Sequence, residues 1–393
     1  MDAPAPATKA IPFDTALLDR LLGEADVDAM LVTSKHNVQY LLGGYRFFFF
    51  DYMDAMGLSR YLPVLFYQRG KPENSAYIGY RLEAHEKALN RFWTPVVQTS
   101  SSGSTDAMQL AVDHIKRLGN GIRTIAVEAP FLPSDADAVL RNALGNCRIA
   151  DAVFPLERLR ARKTPEELRL LREASERVVD AMLSVFHQVR PGMPKTEMVE
   201  MLRREEVLRG LTFEYCLNTA GTSLNRAPSE QKLAKGDIIS LDSGGNYHGY
   251  IGDLCRMAIL EAHADAELVD LLGLVDAIQQ RARKPIKPGA LGGEIVSGAE
   301  EMMKASPHHE YMEFLAHGMG LISHEAPRLV HGRAYSAYDA DRPLEAGMVV
   351  SIETTMLHPK RGFIKLEDTV VVTDKGYEGL GDSGRGWNRA GGK

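Results

Sequence analysis

Apolar positions along this chain recur with two periods, and the change from one to the other marks its elements. Residues 13–23 carry Leu17, Leu18, Leu21 and Leu22 at helical spacing. Residues 29–33 then read as a strand, and 37–45 as a helix or turn closed by Gly43 and Gly44. Strands follow at 61–67 and 76–78, a helix at 106–118, a strand at 124–127 and a helix at 134–144. Short strands alternating with helices predict an α/β amino-terminal domain.

The pattern changes after residues 151–164. Thr164-Pro165-Glu166-Glu167 opens a long helix, because threonine caps, proline suits the first helical position and Glu167 can reach back to the cap. Leu168, Leu171, Ala174, Val178, Met182, Val185 and Phe186 give it one apolar stripe, and Pro191-Gly192 stops it. Further helices are predicted at 196–208, 265–281 and 293–304, with apolar strands at 238–241, 348–352 and 363–372. The expected domains are 1–155 and 156–393, the second of α+β character.

The candidate chemistry sits on those late strands. Asp242 ends the run Ile238–Leu241, and Asp253 follows eleven positions later. Gly244, Gly245, Gly249 and Gly252 lie between them and would let the chain fold back, setting two carboxylates side by side. Unpaired carboxylates that close repel, and a divalent cation removes the penalty. Downstream, His317 lies in Ala-His-Gly-Met-Gly, and Glu353 ends the run from Met348. Alternation puts Glu367 on one face with Lys365 and Thr369. Four carboxylates and one imidazole are oxygen-rich for zinc, suit harder ions such as manganese, and balance two divalent cations.

The ordered phrases Leu241-Asp242-Ser243-Gly244, Gly252-Asp253-Leu254-Cys255-Arg256, His317-Gly318-Met319-Gly320, His324-Glu325-Ala326-Pro327-Arg328, Ser351-Ile352-Glu353 and Leu366-Glu367-Asp368 resemble the creatinase/aminopeptidase P/prolidase family. The resemblance implies a creatinase-like amino-terminal domain and a pita-bread catalytic domain. It implies a homodimer, metal ligands Asp242, Asp253, His317, Glu353 and Glu367, and amide hydrolysis of Xaa-Pro substrates by a hydroxide bridging two metals. Manganese is expected first, with cobalt or zinc as alternatives. Glu353 would also shuttle a proton, and His324 would hydrogen-bond the substrate or intermediate. Arg328 would face a substrate carboxylate or make a structural ion pair, and Arg256 would pair with a ligand carboxylate. His248 and Tyr250 are expected only to pack in the return between the aspartates.

Two departures stand out. The loop 218–228 lacks the family's extra histidine, and Asn225 or Arg226 stands in its place. Arginine cannot accept a proton but can clamp a carboxylate, so Arg226 is a substrate-binding candidate. Lys365 stands where many relatives have arginine, and is expected to alter a contact beside the site rather than the site itself. The run Phe47–Phe50 either lines a substrate pocket or forms a buried strand.

Composition narrows the function. The net charge of −6 among 393 residues argues against nucleic-acid or anionic-membrane partners. No apolar run reaches membrane-helix length. The three cysteines form no CxxC and fit a reducing cytoplasm. The Ala/Pro-rich start, residues 1–12, is no secretion signal and is expected to fray. The substrate is then a dipeptide or another small molecule. The alternatives are a small-molecule C–N hydrolase or lyase on the same scaffold (creatinase-, ectoine hydrolase- or dimethylsulfoniopropionate lyase-like) and a non-catalytic binding module.

Overall fold

A computed structural model describes residues 9–55, 60–119, 121–331 and 336–391, so most of the Ala/Pro-rich start lies outside the described residues. The chain divides into two units, 1–159 and 160–393. In the first, β1 (Ala29–Val32), β2 (Val64–Gln68), β3 (Ala76–Tyr80), β4 (Val96–Ser101), β5 (Thr124–Val127) and β6 (Arg148–Asp151) form one sheet, ordered β4-β3-β2-β1-β5-β6. Its helices are α1 (Thr15–Glu24), α2 (Lys35–Leu41), α3 (Ala84–Ala88), α4 (Ser104–Arg117), α5 (Ser134–Ala143) and α6 (Val153–Arg160). Strand alternation splits the core. Met30, Val32, Leu65 and Tyr67 pack with Leu18 and Leu22 of α1, while Leu31, Val64, Phe66 and Ile78 pack with α4. The run Phe47–Phe50 is not a strand. Residues Phe48–Ala55 form 3-10 turns broken by a kink at Tyr52, with Phe47 and Phe50 buried and Phe48 exposed.

The second unit opens with α7 (Pro165–Gln188) and α8 (Lys195–Leu208). The predicted capping box forms: the Glu167 amide donates to Thr164 Oγ1 at 3.3 Å, and the Thr164 amide to Glu167 Oε2 at 2.8 Å. Next come β7 (Thr212–Ala220), β8 (Ile238–Tyr247), β9 (Tyr250–Leu260), α9 (Ala266–Arg283), α10 (Gly293–Lys304), β10 (Met312–Met319) and β11 (Ser323–Arg328). Last are β12 (Val349–His358), β13 (Gly362–Val372), β14 (Tyr377–Leu380) and β15 (Asn388–Ala390). They make a nine-stranded sheet whose main path runs β11-β10-β12-β13-β9-β8-β7.

The helices bury one face of this sheet. Leu241 and Leu254 pack with Val178 and Met182 of α7, and Val350, Ile352 and Leu366 with Leu271, Val275 and Ile278 of α9. The residues alternating with these are Asp242, Asp253, Ser351, Glu353 and Glu367, which therefore share the other face. His248 and Gly249, with φ of 51° and 100°, make the two-residue hairpin turn between β8 and β9. His248 stacks edge-on to Tyr247, and the Tyr250 hydroxyl donates to Glu167 Oε1 at 2.9 Å. Gly252, expected in the return, lies inside β9, where α7 runs against it.

Candidate metal centre

Register gathers the site. Across neighbouring strands Glu353 faces Glu367, Glu367 faces Cys255, and Cys255 faces Asp242. Directly opposed residues point to one side of a sheet, so the carboxylates converge. Asp253 lies two residues along β9 from Cys255 and shares that side. His317 enters from β10, opposite Ser351 of β12. The five residues singled out by sequence thus come from five neighbouring strands and meet. Four of them are almost fully buried: Asp242, Asp253, His317 and Glu367 are 1–3% exposed.

Serines fix two of the carboxylates. Ser323 Oγ donates to Asp253 Oδ2 at 2.7 Å, and Ser351 Oγ to Glu367 Oε1 at 2.9 Å. His317 Nε2 lies 3.3 Å from Glu353 Oε1 and 3.7 Å from Glu367 Oε1. His324 stacks on it, ring centroids 3.8 Å apart at 13°. The site opens into a cavity of about 490 Å³ walled by Asp242, Asp253, Glu353, Glu367, Lys365, Arg226 and His324, with Tyr215, Leu217, Leu315 and Ser323. Arg328 is not in that wall. It is buried on β11 opposite His317, and its amide donates to Asp339 Oδ2 at 2.8 Å.

The sequence model of metallopeptidase family M24 matches residues 169–374, and that of the creatinase/prolidase N-terminal domain matches residues 15–162. The chain belongs to metallopeptidase family M24. It is a metal-dependent peptidase with an α/β amino-terminal domain and a pita-bread catalytic domain, and its family implies divalent metal ions. It is 26% identical over 368 residues to an uncharacterised peptidase, YqhT, of Bacillus subtilis, covering 91% of this chain and 95% of that one. It is 23% identical over 367 residues to an Xaa-Pro dipeptidase of Pyrococcus horikoshii, covering 90% and 92%. The crystal structure of an Xaa-Pro dipeptidase from Bacillus anthracis superposes with a TM-score of 0.78 at 23% identity, over 95% of this chain and 98% of that one.

The donor set of this peptidase fits a cation. Asp253 Oδ1 and His317 Nε2 are buried without hydrogen-bond partners, and buried polar atoms are rarely left so. Ligand atoms of Asp253, His317 and Glu367 lie within 4.8 Å of one another, as do those of His317, His324 and Glu353. Burial, then the charges of Glu367 and Asp242, raise the Asp253 pKa. Burial would lower His317, but the Glu353 and Glu367 carboxylates 3.3 and 3.7 Å from Nε2 lift it to about 10. Burial and the neighbouring His317 push His324 down to about 4.

Three cationic side chains meet partners that the sequence did not predict. Lys365 does not stand beside the site but in it, with Nζ 2.7 Å from Asp242 Oδ2, 2.6 Å from Glu353 Oε2 and 2.8 Å from Glu367 Oε2. Burial would lower its pKa, yet these carboxylates raise it well above the usual lysine value. Arg226, expected to meet substrate, pairs with Asp242 Oδ2 and stacks over Phe363. Arg256 pairs with Asp368 at 2.9 Å rather than with a ligand carboxylate, and holds the Glu367 carbonyl at 2.9 Å. Tyr215 and Ser323 had no sequence signal of their own. Period-2 alternation through 212–220 would have put Tyr215 on a strand face.

Proposed function

We propose that this peptidase cleaves Xaa-Pro bonds, as a dipeptidase or an aminopeptidase. The observation that carries the reading is the meeting of Asp253, His317, Glu353 and Glu367 on one sheet face, with unpartnered donors turned inward. Dipeptidases among the relatives favour a peptide over the other small molecules that the sequence left open. A divalent ion held there, manganese by the oxygen-rich donors, supplies Lewis acidity and a water acidified towards neutrality. Glu353 is the proton carrier, the role the family resemblance implies for it; its Oε2 meets Lys365 and its Oε1 faces His317. His324 is uncharged near neutral pH, because its pKa lies near 4, and offers a neutral N–H to the substrate carbonyl oxygen. Arg226, its side chain 38% exposed, keeps N–H groups free to meet a substrate carboxylate while it pairs with Asp242. Arg328 is the second candidate for that contact.

The proposed protein is a cytoplasmic homodimer divided functionally at 1–155 and 156–393. Three free cysteines support the compartment, and the dimer is what the family resemblance of the sequence implies. No helix among the described residues is long and apolar enough to cross a membrane. The test is hydrolysis of Ala-Pro and Met-Pro against Ala-Ala and Met-Ala, with manganese added after chelation. Turnover confined to the proline substrates and restored by the metal is expected. Equal turnover of all four, or none with metal bound, would refute the reading.

A further inference from the structure

The four carboxylates of the centre are divided between two jobs. Asp242 Oδ2, Glu353 Oε2 and Glu367 Oε2 surround the Lys365 ammonium at 2.6–2.8 Å. Arg226 takes the same oxygen of Asp242. The other oxygens of the two glutamates, Glu353 Oε1 and Glu367 Oε1, face His317 Nε2. On that side lie two buried atoms able to ligate a cation and without a hydrogen bond, Asp253 Oδ1 and His317 Nε2; on the lysine side the buried unpartnered atom is Arg226 Nε, an N–H that cannot ligate. Glu353 and Glu367 therefore straddle two positions, as carboxylates between two metals would. One position holds an ammonium, and the other is lined by unpartnered donors.

Charge supports the same division. Asp242, Asp253, Glu353 and Glu367 carry four negative charges, and Lys365 and Arg226 return two positive ones. The remainder balances one divalent ion, not two. Neither group of close donors, Asp253 with His317 and Glu367 or His317 with His324 and Glu353, includes Asp242. A second cation would need the three oxygens that Lys365 already holds, and a divalent ion cannot share that space with an ammonium.

We infer that the Lys365 ammonium takes the place of one of the two cations, so that this peptidase binds a single divalent ion, on Asp253, His317, Glu353 and Glu367. Asp242 then serves as counter-ion to Lys365 and Arg226 rather than as a metal ligand. The inference rests on the metal-dependent reading and narrows it. It also gives a reason for two departures at once: the chain that carries Lys365 also has Arg226 on the same aspartate oxygen.

The experiment is metal stoichiometry on the full-length protein, stripped by chelator and then equilibrated by dialysis with manganese. Wild type is expected to hold one manganese per chain, and Lys365→Met, of similar length but uncharged, to hold two. Two equivalents in the wild type would overturn the inference and leave the peptidase reading standing. None at all would overturn both. A folded Lys365→Met that still binds one would overturn the assignment to Lys365. Should that variant not fold, electron paramagnetic resonance of the manganese-loaded wild type decides. An isolated-ion spectrum is expected, and an exchange-coupled pair would refute the single-ion site.

Discussion

His324 sits in the left-handed region at φ 61°, stacked on His317, with a pKa pushed down to about 4 by burial and by its neighbour. A neutral imidazole can donate to a developing oxyanion without adding a charge beside the cation. Asparagine tolerates the same backbone but is shorter. His324→Asn is expected to cut kcat by about 10²–10³-fold, the usual cost of one oxyanion donor, with manganese content unchanged; a parallel loss of metal would show a structural cause instead. Glu206 of α8 offers a second test at this scale. It accepts from Ser243 Oγ at 2.9 Å, its Oε2 has no partner, and burial lifts its pKa from 4.5 to about 8. The folded value lies above the unfolded one, so its contribution is full below pH 4.5 and is lost as pH rises through 8. Glu206→Gln should therefore gain stability over wild type at pH 9, on the order of 1–3 kcal/mol, with the gain shrinking towards pH 5 in thermal melts. Asp242, Glu353 and Glu367 were legible because each ends or alternates along an apolar run, Asp253 because glycines allow a return to Asp242, and His317 from its phrase with Gly318 and Gly320. Lys365 was legible in direction, sharing a face with Glu367, but not in reach: only coordinates show that its ammonium spans the gap to Asp242 on β8.

The β8–β9 hairpin and α7 form the element on which the site depends. The capping box at Thr164 was readable because its signal is local, three residues of fixed chemistry. The glycines of the hairpin were read as one sharp return, yet only Gly249 turns the chain, with His248 beside it. Gly252 is glycine for a long-range reason. A Cβ there would lie 2.7 Å from the backbone of Ala174 and Ser175 in α7. A backbone cannot move aside as a side chain can, so Gly252→Ala must push α7 away from β9. The expected loss is about 2–3 kcal/mol in urea unfolding, with weaker manganese binding because Asp253 is the next residue. Strands β10 and β11 escaped notice for a related reason. Ser323-His324-Glu325-Ala326-Pro327-Arg328 is too polar to read as a buried strand, and it is buried because its polar groups are paired, Glu325 with Arg160 at 2.7 Å and Lys163 at 3.0 Å.

Across the molecule, the four acids and His317 of the centre bring together five strands, β8, β9, β10, β12 and β13. Buried carboxylates with an uncompensated charge oppose folding, and a bound cation reverses the sign, so metal affinity enters the folding free energy. At a thousandfold excess over Kd, binding adds about 4 kcal/mol. That gain belongs to residues 160–393, because the amino-terminal unit has its own core and contributes no ligand. Hydrogen exchange should therefore show manganese protecting amides of β8, β9, β10, β12 and β13, with β1, β2 and β5 unchanged. The effect should also depend on pH in one direction. The Asp253 pKa is raised, by burial and then by Glu367 and Asp242, so its proton competes with the metal at mildly acidic pH. The manganese-induced rise in Tm is expected to be larger at pH 8 than at pH 6. An equal rise at both would mean that Asp253 binds no metal and that the cation, if held, sits elsewhere on the sheet face.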